Sequence, residues 1–272
     1  MDPLDFTGRV VVVTGGTRGL GAVTAHAFQA AGAHVLVCAR TAPSSAGPGR
    51  YPVPGPRPAF FRADVRDPAQ AAALAGEAVR RFGRIDVLIN NAGGAPTASA
   101  GTASPRLHAK IIELNLIAPL HVSQAANAVM CEQSAGGVIL MIGSVSGTRP
   151  SPGTAAYGAA KAGLHHLATS LAAEWAPKVR VNSLVVGPVD DPDRPGPAGP
   201  DREVAEAGAA ASVARTVPMG RAASAGEVAS ACLLLASPLA GYITGAALAV
   251  HGGGEWPAYL ADLRDTAYRA QK

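Results

Sequence analysis

A tyrosine and a lysine with helical spacing are the first candidates for chemistry in this chain. Tyr157 and Lys161 are four residues apart in a segment that predicts a helix over 155–175, so both side chains share one face. A tyrosine has an ordinary pKa of about 10, and a nearby ammonium lowers it by favouring the phenolate. The pair therefore predicts a general acid or base that works near neutral pH. The same spacing also fits a helix without a catalytic role.

Two further polar residues can join this pair. Ser144 follows a predicted strand over 138–142 and shortly precedes Tyr157, so both side chains can face one crevice. A serine hydroxyl there can hydrogen-bond a carbonyl oxygen or an alkoxide. Asn115 lies between two leucines in the preceding long helix. It is interpreted either as a buried structural amide or as an amide that holds a water near Lys161.

A glycine-rich segment follows the first predicted strand, over 10–13, and opens a predicted helix over 20–31. Residues 14–21 are TGGTRGLG. Glycines let the backbone approach a pyrophosphate, and a helix N-terminus offers N–H groups to it. The spacing is G-x-x-x-G-x-G rather than G-x-G-x-x-G, and a tight turn without a ligand is the alternative. We predict dinucleotide contacts at Gly15, Thr17, Arg18, Gly19, Leu20 and Gly21.

The end of the second predicted strand, over 35–37, indicates which dinucleotide binds. Residues 38–41 are CART, without the acidic residue that an NAD-selective site uses to hold the ribose 2′-hydroxyl. Arg40 can bond a 2′-phosphate instead, and Arg18 can add a second positive charge. Arg40 alone also fits an ordinary surface arginine. We therefore predict that the cofactor is NADP(H). The further predicted contacts lie at the ends of the second, third and fourth strands, and they are Ala39, Arg40, Thr41, Asp64, Val65, Asn91, Ala92 and Gly93.

Strands and helices alternate along the chain, which predicts an α/β fold. The 272 residues, 48% of them hydrophobic, fit one domain with a sizeable core. Parallel strands joined by helical crossovers give a doubly wound sheet with helices on both faces. Apolar segments predict strands over 10–13, 35–37, 60–61, 85–89, 138–142, 179–186 and 246–250. Helices are predicted over 20–31, 68–82, 104–131, 155–175, 202–215 and 226–236.

Composition argues against several other classes of protein. The net charge of +4 is dispersed without the basic stripe of a nucleic-acid binder. Three scattered cysteines are interpreted as reduced core thiols rather than as a disulfide framework or a zinc site. His165 and His166 lack a third ligand at metal spacing and are interpreted as packing or interface residues, so no metal is predicted. No signal peptide or membrane-spanning run is recognised, which predicts a cytoplasmic protein.

The segments TGGTRGLG, NNAG and YGAAK, together with Asn115 and Ser144, resemble the short-chain dehydrogenase/reductase family in its compact single-domain subgroup. The resemblance extends from Gly8 to about Gly254 and implies a Rossmann sheet of seven parallel strands. It implies a catalytic tetrad and assigns Tyr157 and Lys161 to the cofactor site as well. The tetrad is Asn115, Ser144, Tyr157 and Lys161.

The resemblance also implies a role for each member of the tetrad. Tyr157 protonates the carbonyl oxygen in reduction and acts as the base in oxidation. Ser144 positions and polarises that carbonyl. Lys161 lowers the pKa of the tyrosine and holds the nicotinamide ribose hydroxyls, while Asn115 supports a water in a proton relay.

Two turns depart from the family pattern. After the sixth strand the family usually has Pro-Gly and then Thr, whereas residues 186–191 are VGPVDD. Asp191 stands where the threonine would bond the nicotinamide amide, which leaves that contact open. His251 replaces a common aspartate and is interpreted as a structural variant of a turn. The cofactor contacts predicted at the first of these turns are Gly187, Pro188 and Val189.

The domain prediction is a single unit over 1–254 followed by a C-terminal extension over 255–272. A substrate lid is predicted at about 188–217. The Pro-rich run over 43–58 is interpreted as a loop beside the adenosine end. Trp256 and Tyr259 add apolar surface to the extension. Our hypothesis is that the extension packs across a subunit interface or near a neighbour's site.

The predicted function is an NADP(H)-dependent oxidoreductase that interconverts a ketone or aldehyde and an alcohol. The lid is rich in Ala, Pro and Gly, which suits a small or apolar substrate. A 3-oxoacyl-(acyl-carrier-protein) type ketoreductase is the alternative, although only isolated basic residues such as Arg202 and Arg215 would dock an acidic carrier. A catalytically idle cofactor-binding partner protein is a further alternative. The resemblance implies a homo-oligomer, a tetramer or dimer. The dispersed charge and the lack of a long apolar run predict no nucleic-acid or membrane partner.

Overall fold

The computed structural model describes residues 2–42, 57–190 and 212–256. Seven parallel strands of this part form the main sheet, in the order β3-β2-β1-β4-β5-β6-β9, while β7 and β8 pair separately. The strands are β1 (Val10–Thr14), β2 (His34–Ala39), β3 (Ala59–Arg62), β4 (Val87–Asn90), β5 (Gly137–Ile142), β6 (Val179–Val186), β7 (Val189–Asp190), β8 (Ala223–Ser224) and β9 (Ala247–Val250).

Helices separate most of these strands, as the alternation predicts. Asp67 caps α2 by accepting a hydrogen bond from the Ala69 N–H, and Gly83 ends it in the left-handed region with φ of 81°. The helix that is predicted over 202–215 is described only from residue 212, and residues 212–216 are helical. The other helices are α1 (Gly19–Ala30), α2 (Pro68–Phe82), α3 (Pro105–Ile112), α4 (Ala118–Glu132), α5 (Ala155–Trp175) and α6 (Ala225–Ala236).

The core lies on both faces of the sheet, because the central strands are apolar on both sides. One layer packs Leu88 and Ile139 against α2, α4 and α5. The other packs Val11 and Ile89 against α1 and α6. This is the doubly wound Rossmann architecture that was expected, and none of the helices in the described ranges is both long and apolar enough to cross a membrane.

The order of the strands reverses at β1, which pairs with β2 on one side and β4 on the other. In such sheets, ligands bind outside the carboxyl ends of the strands at this point. Several predicted features lie wholly or mostly outside the described residues: Asp191, Arg202, Tyr259, most of the lid and of the Pro-rich run, and the extension beyond residue 256.

Candidate active site

The glycine-rich turn between β1 and α1 leaves no room for side chains. A Cβ on Gly15, where φ is +65°, would lie 3.0 Å from the Ala92 Cα, and one on Gly21 would overlap the Gly15 carbonyl. The N-cap residue of α1, Arg18, makes no side-chain capping bond. The turn therefore has the backbone form and the helix N-terminus that an anionic phosphate needs.

Thr14 and Asn91 tie the ends of β1 and β4 together. The Thr14 hydroxyl oxygen accepts hydrogen bonds from the backbone N–H groups of Asn91 and Ala92, both at 3.0 Å. The Asn91 amide donates to the carbonyls of Thr14 at 3.0 Å and Gly15 at 3.2 Å. Thr14 was absent from the predicted site residues, although a polar residue that ends a run of four valines marks it in the sequence.

Three arginines lie at the carboxyl ends of β2 and β3. Arg40 is exposed, and its backbone carbonyl accepts a hydrogen bond of 3.0 Å from Arg62 Nε. Arg66 binds the Asp64 carboxylate through Nε and Nη2. The hydrogen bond from Arg66 holds the pKa of Asp64 below its ordinary value, and the charge on Arg40 acts in the same direction. Val65, a predicted cofactor contact, is buried in the core.

Asn115 lies in a π-helical turn (Glu113–Ile117) that interrupts the single helix predicted over 104–131. Its amide donates to the carbonyls of Ile111 and Gly94, and its Oδ1 accepts from the Gly94 N–H, each at 2.9 Å. The Ile111 carbonyl is the acceptor that the Asn115 backbone N–H would use in an α-helix. Because the side chain competes for it, the turn widens.

Lys161 and Tyr157 stand on consecutive turns of α5, as their spacing predicts. The buried Lys161 Nζ donates a hydrogen bond of 2.7 Å to the Ile142 carbonyl and lies 5.6 Å from the centroid of the Tyr157 ring. Burial lowers the pKa of Lys161 to about 8. A Cβ on Gly93 would lie 2.8 Å from Asn115 Oδ1 and 3.4 Å from Lys161 Nζ, so Asn115 and Lys161 meet at this glycine.

Ser144 follows β5 and caps a short 3-10 turn (Val145–Gly147). Its hydroxyl oxygen accepts a hydrogen bond of 3.2 Å from the Ser146 N–H, and its carbonyl lies 3.2 Å from His165 Nε2. Ser144 and Tyr157 are both half-buried at the carboxyl edge of the sheet. The described geometry thus brings the four predicted tetrad residues to one edge, just after β5, on α5 and in the π-helical turn.

The turn after β6 packs against the end of β9. The Gly187 N–H donates to the Val250 carbonyl at 3.0 Å, and a Cβ on Gly187 would lie 2.8 Å from the His251 Cα. Pro188 accepts a hydrogen bond of 2.9 Å from the Ala223 N–H, and Val189 pairs with Ala223. His251 therefore lies at a turn beside the predicted nicotinamide end.

The described start of the C-terminal extension contacts two segments of its own chain. The Trp256 N–H donates to the Thr216 carbonyl at 2.9 Å. Glu255 forms an ion pair of 2.6 Å with Arg149, which lies in the loop after Ser144. These contacts join the end of the predicted lid to the loop before α5.

Several known proteins are similar to this chain. A family model described as Enoyl-(Acyl carrier protein) reductase matches residues 15–255. The chain is 34% identical over 258 residues to an uncharacterized oxidoreductase of Mycobacterium tuberculosis, covering 94% of this chain and 96% of that protein. It is also 34% identical over 251 residues to the 3-oxoacyl-(acyl-carrier-protein) reductase of Escherichia coli, covering 92% and 98%.

A solved structure shows the same fold. A double mutant of a Serratia marcescens short-chain dehydrogenase/reductase aligns with a TM-score of 0.77 and 28% identity, over 92% of this chain and 98% of that one. The family model and these relatives span nearly the whole chain. The chain therefore belongs to the short-chain dehydrogenase/reductase family, whose members are oxidoreductases that use nicotinamide cofactors.

Proposed function

We propose that the protein is an NADP(H)-dependent oxidoreductase that interconverts a small apolar ketone or aldehyde and the corresponding alcohol. The observation that carries this proposal is the convergence of Ser144, Tyr157 and Lys161 at the sheet edge next to the glycine turn. A hydroxyl, a phenol and an ammonium at one edge suit the transfer of a proton to or from a carbonyl oxygen.

The described residues fit a dinucleotide. The turn at Gly15 and Gly21 would be filled by a Cβ, and α1 begins there without a side-chain cap. Arg40 and Arg18 would hold a 2′-phosphate, and no carboxylate follows β2 directly to repel it. Lys161 would bond the nicotinamide ribose. A bound nicotinamide supplies the hydride for reduction and takes it up in oxidation.

The chain's own residues handle the proton. In reduction, the Ser144 hydroxyl donates a hydrogen bond to the substrate carbonyl oxygen, and the Tyr157 hydroxyl transfers its proton to that oxygen as the carbonyl carbon accepts the hydride. The alcohol forms and Tyr157 becomes a phenolate. With a pKa of about 8, Lys161 is mostly protonated at neutral pH, so its charge stabilises that phenolate.

The loop before α5 supports a small neutral substrate over a carrier-bound one. Docking an acidic carrier protein needs free basic groups around the site, whereas Glu255 pairs with Arg149. The likeness to the Escherichia coli reductase favours the alternative, a ketoreductase acting on acyl-carrier-protein substrates. The third candidate, an idle cofactor-binding partner, would use Lys161 to hold the cofactor but would not need the hydroxyl of Ser144 beside it.

One panel of assays separates these candidates. Purified protein is mixed with NADPH or NADH and with aliphatic and alicyclic ketones, aldehydes and a 3-oxoacyl carrier thioester, and absorbance is followed at 340 nm. We expect turnover of free ketones with NADPH. Turnover of the thioester alone would favour the carrier-dependent enzyme, and NADPH binding without any turnover would favour the idle partner.

Cofactor choice is tested at Arg40. Arg40→Asp removes a cation and adds an anion where the 2′-phosphate is expected, so the NADPH to NADH ratio of kcat/KM should fall by about 10- to 100-fold. The control is Lys178→Asp. It makes the same charge change at an exposed residue just before β6, at the amino edge of the sheet. An unchanged ratio in Arg40→Asp would contradict the assignment.

We also propose a cytoplasmic homo-oligomer. Self-association is supported by a groove between the outward faces of α4 and α5. The groove has a volume of about 450 Å³ and includes Leu120, Leu167 and Trp175. Burying such a face against a second copy removes apolar surface from water. Light scattering after size exclusion should give a dimer or tetramer, and a monomer at micromolar concentration would contradict this.

A further inference from the structure

His165 extends the stripe that Tyr157 and Lys161 begin on α5. The three residues are spaced by four, so they follow one face of the helix. The sequence suggested a packing or interface role for His165. In the structure, its ring is partly buried, with Nε2 at 3.2 Å from the Ser144 carbonyl and Nδ1 at 3.1 Å from the Ser183 hydroxyl.

These two partners define which nitrogen carries the proton. A carbonyl oxygen only accepts, so Nε2 is the donor to Ser144. In the neutral ring, Nδ1 then accepts a hydrogen bond from the Ser183 hydroxyl. Burial lowers the pKa of His165 and outweighs the hydrogen bond to Ser144, which raises it, while the charge on Lys161 lowers it further, so the neutral form is favoured.

The imidazole fits a slot between two glycines that flank Ser144. A Cβ on Gly143 would overlap the Cε1 atom of the His165 ring, and one on Gly147 would come within 3.0 Å of Cδ2. A side chain at either glycine would therefore displace the ring or the backbone around Ser144.

The same helix face fixes the backbone on both sides of Gly143. Lys161 bonds the Ile142 carbonyl at 2.7 Å, and His165 bonds the Ser144 carbonyl. From β6, the Leu184 carbonyl accepts a hydrogen bond of 2.8 Å from the Gly143 N–H. The Ser144 carbonyl also accepts from the Gly147 N–H at 2.9 Å, so His165 acts on the acceptor that closes the turn.

We propose that His165 is a positioning residue for Ser144. By holding the Ser144 carbonyl, it sets the direction in which the serine hydroxyl meets the substrate carbonyl. This inference rests on the proposed function. It predicts a loss in the chemical step rather than in cofactor binding, because the hydrogen bonds of the His165 ring go to Ser144 and Ser183.

The test compares three variants by ketone reduction and by NADPH binding. His165→Leu removes both hydrogen bonds, and kcat should fall by about tenfold or more while the Kd for NADPH changes less than twofold. His165→Gln keeps a donor and an acceptor on a flexible side chain and should recover most of the loss. His166→Leu, at the exposed neighbouring position, is the control. Equal kcat in His165→Leu and His166→Leu would overturn the proposal.

Hydrogen exchange gives a readout that needs no substrate. The Gly147 amide bonds the Ser144 carbonyl, so its exchange should be faster in His165→Leu than in the wild type, and slowed again in His165→Gln. If the wild type reduces no carbonyl compound, the proposed function fails while exchange still decides the role of His165. Unchanged protection at residues 144–147 in His165→Leu would then overturn the inference.

Discussion

At the amino edge of the sheet, the buried carboxylate of Asp86 is surrounded by donors. It accepts hydrogen bonds from the Val10 N–H at 2.9 Å, from Arg9 at 2.9 Å and from Arg84 at 2.6 and 2.8 Å. At the carboxyl edge, Asn115 and Lys161 bond backbone groups instead of one another's side chains. At the amino edge, the charged carboxylate of Asp86 holds β1 and β4 together. At the carboxyl edge, the amide of Asn115 and the ammonium of Lys161 hold backbone groups in place.

We therefore expect substitutions at the two edges to have different effects on stability and on catalysis. Substitutions at the amino edge should cost stability without altering the chemistry of molecules that stay folded. Substitutions of the half-buried Ser144 and Tyr157 at the carboxyl edge should alter chemistry with little cost in stability. Lys161 differs from both kinds, because burial of its charge opposes folding, so that its removal can raise stability while it removes a group that the proposed mechanism uses.

The largest effect is expected for Tyr157→Phe. Removing the hydroxyl abolishes the proton donor, so kcat for carbonyl reduction should fall by about 10²- to 10⁴-fold, whereas Tm should be unchanged. Steady-state assays and thermal unfolding measure the two quantities. Full activity in Tyr157→Phe would refute the acid–base role.

At the opposite edge, Asp86→Ala should lower the free energy of unfolding by about 3 kcal/mol. The substitution leaves the Val10 N–H without its acceptor and leaves two arginines without their carboxylate. Urea unfolding measures the loss, with Glu174→Ala, an exposed carboxylate on α5, as the control. The value of kcat per folded molecule should not change, and a large fall would break the contrast between the edges.

The smallest effect, taken per pH unit, is a pH dependence at Lys161. Its pKa of about 8 in the folded protein lies below the ordinary 10.5, so the unfolded chain binds more protons between these values. The free energy of unfolding should therefore rise with pH across this window in the wild type relative to Lys161→Met, by at most about 1.4 kcal/mol per pH unit. Cofactor-free protein is unfolded in urea at several pH values, with Lys110→Met as the control for the lost charge. Parallel pH curves for wild type and Lys161→Met would contradict the burial effect.

Sequence patterns predicted the sheet and the gathering of the candidate residues for a simple reason. Short apolar β-branched runs such as residues 10–13 form strands buried on both faces, and parallel strands bring their carboxyl ends to one edge. Ser144 and Asn91 each follow such a run, so their shared edge follows from topology. The Asp-Pro pair at 67–68 likewise marks the start of α2 through local capping.

Features set by distant partners could not be predicted in this way. The side chain of Asn115 is held partly by Gly94, which is 21 residues away and meets it only when the loop after β4 packs on the π-helical turn. The hydrogen bonds of His165 depend on Ser144, which follows β5, and on Ser183, which lies within β6. Helical periodicity predicts on which face of the helix a residue lies. It does not predict which backbone carbonyl the residue will bond.

Asn182 forms hydrogen bonds to residues that are synthesised 61 and 64 positions later, so these bonds form late. Its amide donates to the Ile243 carbonyl at 2.9 Å, and its Oδ1 accepts from the Ala246 N–H at 3.0 Å, just before β9 pairs with β6. A nascent chain that has emerged only as far as residue 190 contains the glycine turn, Ser144, Tyr157 and Lys161, yet β6 is still an open edge with this amide unpaired. The sheet edge at β6 is thus completed only when β9 arrives, and the layer over β1 and β4 is completed only when α6 packs on α1.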